Sequence, residues 1–256
     1  MLEIGPDDLY EYLVRLGVDL FPPFEPGRES LHAQRLYESL RELRPELFER
    51  IVLGPTEFAI SRKFAVGPSR TEVEVATFVY TSRGPVVTVP VRLGGEAVLE
   101  WPDEQVIHCF REILTAIDNH LPQRQKLKVG VVRDAIFSCG QTPATAVVAP
   151  PTDRCAGGRL TGGMVNLLFE TEQCNLGVGM TPVGIARQTT VPVTGELVQQ
   201  HEQFGLSVQV DVNSIEVRPL DAGDVESVFR QALEVWPQAI LDYVNRRLRA
   251  NWRASP

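Results

Sequence analysis

Apolar residues along this chain change their period several times, and each change marks an element. Between Pro6 and Leu16, the positions Leu9, Leu13 and Leu16 fall on one face of a 3.6-residue repeat. Pro6 sits where a first turn tolerates it, and Asp7 and Asp8 suit the positive end of a helix dipole. That spacing predicts a short helix. Phe21-Pro-Pro-Phe24-Glu-Pro-Gly27 then breaks every period and predicts an extended linker. Residues 1–27 thus read as an N-terminal docking helix with a Pro-rich tether, attached to a body over residues 28–256.

Within the body, Leu36, Leu40, Leu43, Leu47 and Phe48 recur at helical spacing between Arg28 and Glu49, where Pro45 should break the helix. Three strand-like runs follow, Glu57 to Val66, Glu72 to Thr81 and Pro85 to Leu93, separated by Gly67-Pro68, Arg83-Gly84-Pro85 and Gly94-Gly95. In the second run Val73, Val75, Thr77 and Val79 alternate with Glu72, Glu74, Ala76 and Phe78, the period of a sheet with one wetter face. Trp101-Pro102-Asp103-Glu104 opens the clearest helix, whose stripe runs through Val106, Ile107, Phe110, Ile113, Leu114, Ile117 and Leu121.

Lys128 to Ser138 returns to strand character, and residues 139–163 then lose periodicity. A connection of that length is uncommon inside a compact domain, so it reads as a moving part. Met164 to Glu172, Cys174 to Thr181 and Phe204 to Asn213 read as further strands. Asp221 to Leu248 reads as a closing helix that Pro237 kinks or splits after Trp236.

These elements predict an α+β fold of antiparallel β-meanders, each followed by a long amphipathic helix, with two related halves at 28–124 and 125–256. Thr88-Val-Pro-Val91 recurs as Thr190-Val-Pro-Val193, and a proline in each strand points to an edge or a bulge. Edge strands holding Pro90 or Pro192 would offer surfaces for self-association.

Lys128-Val-Gly130-Val-Val-Arg133-Asp-Ala-Ile136 stands after the long helix, and Leu206-Ser-Val-Gln-Val-Asp211-Val212 before the closing one. In that order the chain resembles an uncharacterised, sporadically distributed bacterial family of about this length. That family places a strand of the type Arg-x-Gly-Leu-Arg-Tyr-x-Asn and a late Leu-Asp-Ile-Asp-Val strand at these points. The resemblance implies the fold and carries no known activity. The family's opening strand, before its first helix, is not evident here, and Met1 to Pro26 falls outside the resemblance.

The composition, 43% hydrophobic and 23% charged over 256 residues, suffices for a sizeable core. A formal charge of −8 disfavours a nucleic-acid partner, which normally meets a dense basic stripe. No run approaches the length of apolar residues that a membrane span needs, and Glu3, Asp7 and Asp8 stand where a signal peptide would be basic. A cytoplasmic location is the expectation.

Cys109, Cys139, Cys155 and Cys174 show no CxxC spacing and are expected as reduced thiols. His108 and Cys109 are adjacent on a helix and diverge by about 100°, and His120 lies too far along it for an i, i+4 pair, so no metal site and no cofactor is predicted. For nucleophilic catalysis, Cys139 at a strand-to-loop junction is the candidate, with His201 as base and Asp211 as orienter. Arg154 and Arg159 flank a glycine-rich stretch and are candidates for anion binding. Arg246, Arg247 and Arg249 cluster near the chain's end, to complement the helix dipole or to grip an acidic partner. Phe78, Phe110, Phe137 and Phe169 are candidates for lining an apolar pocket.

With no catalytic motif in view, the first expectation is a non-enzymatic interaction or scaffold protein that binds another macromolecule, a protein partner. The second is a small-ligand carrier or sensor, and the third a Cys139-dependent hydrolase or transferase.

Overall fold

The computed structural model describes residues 2–23, 29–54, 57–67, 70–121, 124–149, 154–155, 158–159, 162–172, 174–190 and 197–253. Side chains are described for these except at 154–155, 158–159, 186–190, 197–202 and 252–253. Elements in chain order are β1 (Leu9–Phe21), α1 (Ser30–Leu43), β2 (Arg50–Leu53), β3 (Phe58–Val66), β4 (Thr71–Tyr80), β5 (Pro85–Leu93), β6 (Glu96–Ala97) and α2 (Asp103–His120). There follow β7 (Gln125–Ser138), the short pair β8 (Arg154–Cys155) and β9 (Gly158–Arg159), β10 (Val165–Glu170), β11 (Cys174–Thr190), β12 (Leu197–Ser214), α3 (Ala222–Val235) and α4 (Gln238–Arg253).

All ladders are antiparallel, and one ten-stranded sheet runs β10-β11-β12-β7-β1-β5-β4-β3-β2, with β6 added to β5. The α+β class is as predicted, and α1 to α4 cover one face of the sheet. Val14, Leu16 and Val18 of β1 point to that face beside Val131 and Val129 of β7 and Val208, Val210 and Val212 of β12, all within a few per cent of full burial. Among the described residues the opposite face carries no helix, and it presents Arg15, Asp134, Gln209 and Asp211.

The opening segment differs most from its prediction. A 3-10 turn at Pro6–Asp8 leads into a strand, not a helix, and β1 lies in mid-sheet between β5 and β7. Leu9, Leu13 and Leu16 do fit a helical spacing, but Tyr12, Val14, Leu16, Val18 and Leu20 fit a period of two and are the buried set. Residues 9–21 are therefore not part of an appended tether: they form an inner strand of the body. Residues 24–28, the end of the predicted linker and the first residue of the predicted body, lie outside the described residues.

Proline in β5 marks a bulge, not an edge. Pro90 faces Leu13 where the β1–β5 register shifts, and β5 is flanked by β1 and β4, so it offers no edge for self-association. Pro192 lies outside the described residues. A second shift, between Ile60 and Ser61 of β3, interrupts the alternation predicted for β4. Buried Thr77 bonds to the Leu47 and Ile60 carbonyls, and Phe78 and Tyr80 join Phe58 in an aromatic stack.

Beyond β7, the Ala144–Val147 part of residues 139–163 is docked. A 3-10 turn at Ala144–Val147 buries Ala144, Ala146 and Val147 against α4, where Arg247 Nε donates to Val147 O at 2.6 Å and Asn251 Nδ2 to Ala146 O at 2.7 Å. Pro237 separates α3 from α4 as predicted. α3 starts on a reciprocal cap in which Asp221 accepts from Asp224 N and Asp224 from Asp221 N. Among the described residues no helix is long and apolar enough to cross a membrane.

Candidate functional site

The core face of β7 reads Val129, Val131, Arg133, Ala135, Phe137 in alternation, an apolar row interrupted by one cation. Arg133 is 1% exposed, which makes it the largest charged group taken out of water, and such burial costs several kcal/mol (about) unless the charge is paired. Its Nε donates to the Tyr12 hydroxyl at 3.0 Å, and that hydroxyl donates to Asp103 Oδ1 at 2.7 Å. Arg133 Nη2 stands 3.6 Å from the same carboxylate oxygen, while neither Nη makes a hydrogen bond.

Three separate elements supply this chain of groups. Tyr12 comes from β1, Arg133 from β7 and Asp103 from the first turn of α2, where a carboxylate also suits the dipole. Burial pushes the Tyr12 phenol well above its ordinary range, so the hydroxyl is held neutral and relays the bond from guanidinium to carboxylate. On its other side Tyr12 stacks with Trp236 at the α3–α4 corner, with ring centroids 5.2 Å apart, and Phe137 lies 6.2 Å from the same indole.

Above these groups opens a cavity of about 400 Å³, bounded by Leu9 and Tyr12 of β1, Val91 and Arg92 of β5, the segment from Ala97 to Asp103, Phe137, and the corner residues Trp236, Pro237 and Leu241. Its size falls within the range of small-ligand sites, and its walls are mostly apolar and aromatic. Arg133 is not on the wall itself but meets it through Tyr12 and Asp103. Among the described residues the wall carries no serine, cysteine, histidine or lysine, and the arrangement is equipped to hold a molecule by shape, apolar contact and a few fixed polar groups.

Of the four predicted pocket aromatics only Phe137 lines this cavity. Phe78 and Phe110 are fully buried in the core, and Phe169 packs edge-on against Tyr243 at 5.7 Å.

Within the proposed catalytic set, Cys139 and Asp211 do not come together. Cys139 is buried, its Sγ lies 3.8 Å from the Phe137 carbonyl, and burial, with Asp8 nearby, pushes the thiol up to about 12, the reverse of an activated nucleophile. Asp211 faces Val132 on the helix-free side of the sheet, far along β12 from Gly205, which pairs with Ser138. His201 of β12 pairs with Ala186 of β11, and its side chain lies outside the described residues.

Arg154 and Arg159 face each other across the β8–β9 pair, and their side chains are likewise outside the described residues. The C-terminal cluster is spent largely on the fold. Arg247 holds the Val147 carbonyl, Arg249 reaches the Asn245 carbonyl and lies 3.6 Å from Glu3, and Arg246 bonds back to the Asp242 carbonyl. Among the described residues no three His, Cys, Asp or Glu side chains converge as a metal site would require.

Sequence reasoning missed Tyr12, Asp103 and Arg133 as a set. The available signal was Arg133 itself, a cation on the apolar side of a strand alternation, since a buried polar group is more informative than an exposed apolar one. Comparison of the chain with protein-family models, curated proteins and solved structures gave no match.

Proposed function

We propose that this protein is a non-enzymatic carrier or sensor that takes a small amphipathic molecule into the cavity between β1, β5, α2 and the α3–α4 corner. The observation that carries this reading is an aromatic-walled space of about 400 Å³ standing over the Tyr12–Asp103–Arg133 hydrogen-bond chain. Burying such a polar chain beneath an apolar cavity is costly for stability alone, and it supplies the fixed orientation that a ligand site uses. The proposal includes a cytoplasmic site of action and does not include nucleic acid, in keeping with the charge of −8.

Native mass spectrometry of freshly purified protein, followed by denaturing extraction, tests it. Excess mass that disappears on denaturation supports the reading. A bare mass, together with no cavity-dependent enhancement of 1-anilinonaphthalene-8-sulfonate fluorescence, overturns it; dependence on the cavity is judged against an Ala97→Trp variant that fills the rim.

A second reading, docking of a protein partner, is favoured by the outer strand β10. Among the described residues it ends the sheet with one side unpaired, and Met164 just before it and Leu168 within it are 64% and 76% exposed. Alanine at both positions would leave stability near wild type and lower capture of that partner.

The proposal also keeps two related halves, now with β1 in the first. Supporting it, β1 pairs with β5 and β7 with β12, so each half's opening strand meets the last strand of its own meander. β1 ahead of α1 would likewise supply the opening strand of the bacterial family that the sequence resembles.

A further inference from the structure

Arg92 differs from the other charged groups at the cavity. Asp103 is already engaged by Tyr12 and lies beside Arg133, and Glu100 is exposed to water. The Arg92 guanidinium is half-buried on the wall, donates Nη1 to the Gly95 carbonyl, and has no carboxylate partner among the described residues. It faces Tyr12 across the β1–β5 ladder, so its charge stands at the same end of the sheet as the Tyr12–Trp236 stack.

Resting on the reading of this cavity as a ligand site, we infer that its ligand is a small monocarboxylate with a flat apolar body. The carboxylate pairs with Arg92, and the body lies against Tyr12, Trp236 and Phe137. A partly desolvated cation without a counter-ion gains more from an incoming carboxylate than the exposed Glu100 gains from an ammonium, and guanidinium matches carboxylate with two parallel donors. Aromatic walls favour a planar body by offset or edge-on contact. Arg133 acts at one remove, by holding Tyr12 in place through its Nε, and makes no contact with the ligand.

The test uses 2-naphthoate and its neutral counterpart 2-naphthamide, titrated into the full chain while tryptophan emission, to which the cavity residues Trp101 and Trp236 contribute, is followed. Wild-type protein should bind the acid about tenfold more tightly than the amide, which corresponds to about 1.4 kcal/mol. Arg92→Gln should remove that preference yet keep amide binding, which also shows that the variant is folded. Ala97→Trp should weaken both probes. Equal binding of acid and amide by wild type, with both lost in Ala97→Trp, would overturn the carboxylate inference and leave the cavity as a ligand site. Binding of neither probe, or binding that Ala97→Trp leaves unchanged, would overturn both.

Discussion

The Asn245 carboxamide of α4 closes a ring with the backbone of Ile4: Ile4 N donates to Asn245 Oδ1 at 2.9 Å, and Asn245 Nδ2 donates to Ile4 O at 2.8 Å. Both residues are buried, and both lie next to the elements that build the cavity, since β1 follows Ile4 and α4 begins at the Trp236–Pro237 corner. The pair fixes the start of β1 to the last helix across almost the whole length of the chain.

Asn245→Ala strands one buried backbone donor and one acceptor. At about 1 to 1.5 kcal/mol for each lost bond, the cost should be about 2 to 3 kcal/mol, read as a lower urea midpoint at unchanged slope. A variant within about 0.5 kcal/mol of wild type, the usual range for surface changes, would mean that water replaces both bonds and that the clamp is not closed in solution.

Deleting residues 2–21 removes an inner strand that pairs with β5 on one side and β7 on the other. The truncated chain should lose its cooperative unfolding transition and aggregate, since two strand edges and the row of Val14, Leu16 and Val18 are uncovered. A detachable docking helix would predict the opposite, a body that unfolds at nearly the same denaturant concentration.

Much of the body was legible because its apolar periods are long and undisturbed. The stripe from Val106 to Ile117 is buried as a helix face, and Pro237 splits the closing helix where its missing N–H demands it. β1 was not legible because Leu9, Leu13 and Leu16 satisfy a helical spacing at the same time as Val14, Leu16 and Val18 satisfy a strand. What decides between them is tertiary, the pairing with β5 and β7, which are remote in sequence. The candidate site was hidden for the same reason. Tyr12, Asp103 and Arg133 belong to no local motif, and only sheet register and the position of α2 bring them within hydrogen-bond reach.

Turn geometry gives a sharp local test. Gly84 has φ +148°, and a Cβ built there would stand 2.0 Å from the Val18 carbonyl oxygen. The close approach lets Leu20 N donate to Arg83 O at 2.9 Å beside β1. Gly84→Ala should therefore cost about 2 kcal/mol or more, whereas Gly17→Ala, with nothing within 4 Å of its Cβ, should change stability by less. Similar midpoints for the two variants would contradict the contact.

Buried thiols give the protein an alkaline limit. Burial pushes both Cys109 and Cys139 up to about 12 from an ordinary value of 9.0, so between these values the folded state holds protons that the unfolded chain releases. The stability they contribute is complete below about pH 9 and falls as pH rises towards 12, by at most about 1.4 kcal/mol per pH unit for each thiol. Urea midpoints from pH 8 to 10.5 should decline, and less steeply in Cys109→Ala and Cys139→Ala, each compared with its own value at pH 8. At pH 8 neither thiol should react with Ellman's reagent until the chain unfolds; fast labelling of Cys139 in the native state would show an exposed, activated thiol instead.

Asp103 and Arg133 form the most consequential pair. Asp103→Asn removes the only carboxylate within ion-pair distance of Arg133 among the described residues, and leaves a cation that is 1% exposed without a counter-charge. Loss of one partner from a fully buried pair costs about 3 to 5 kcal/mol, and the 21% exposure of Asp103 places this case at the lower end. Arg133→Met should cost less, because it removes the buried charge while filling similar volume, and Asp103 keeps both the Tyr12 hydroxyl and access to water. The double variant should then be more stable than the sum of the single effects allows, by about 1 to 2 kcal/mol. Strict additivity would show that the two charges do not interact and that Arg133 contributes packing alone. The same variants separate stability from binding. If Arg133 works by holding Tyr12, Arg133→Met should loosen both 2-naphthoate and 2-naphthamide to a similar extent, whereas selective loss of the acid would make Arg133, and not Arg92, the carboxylate's partner.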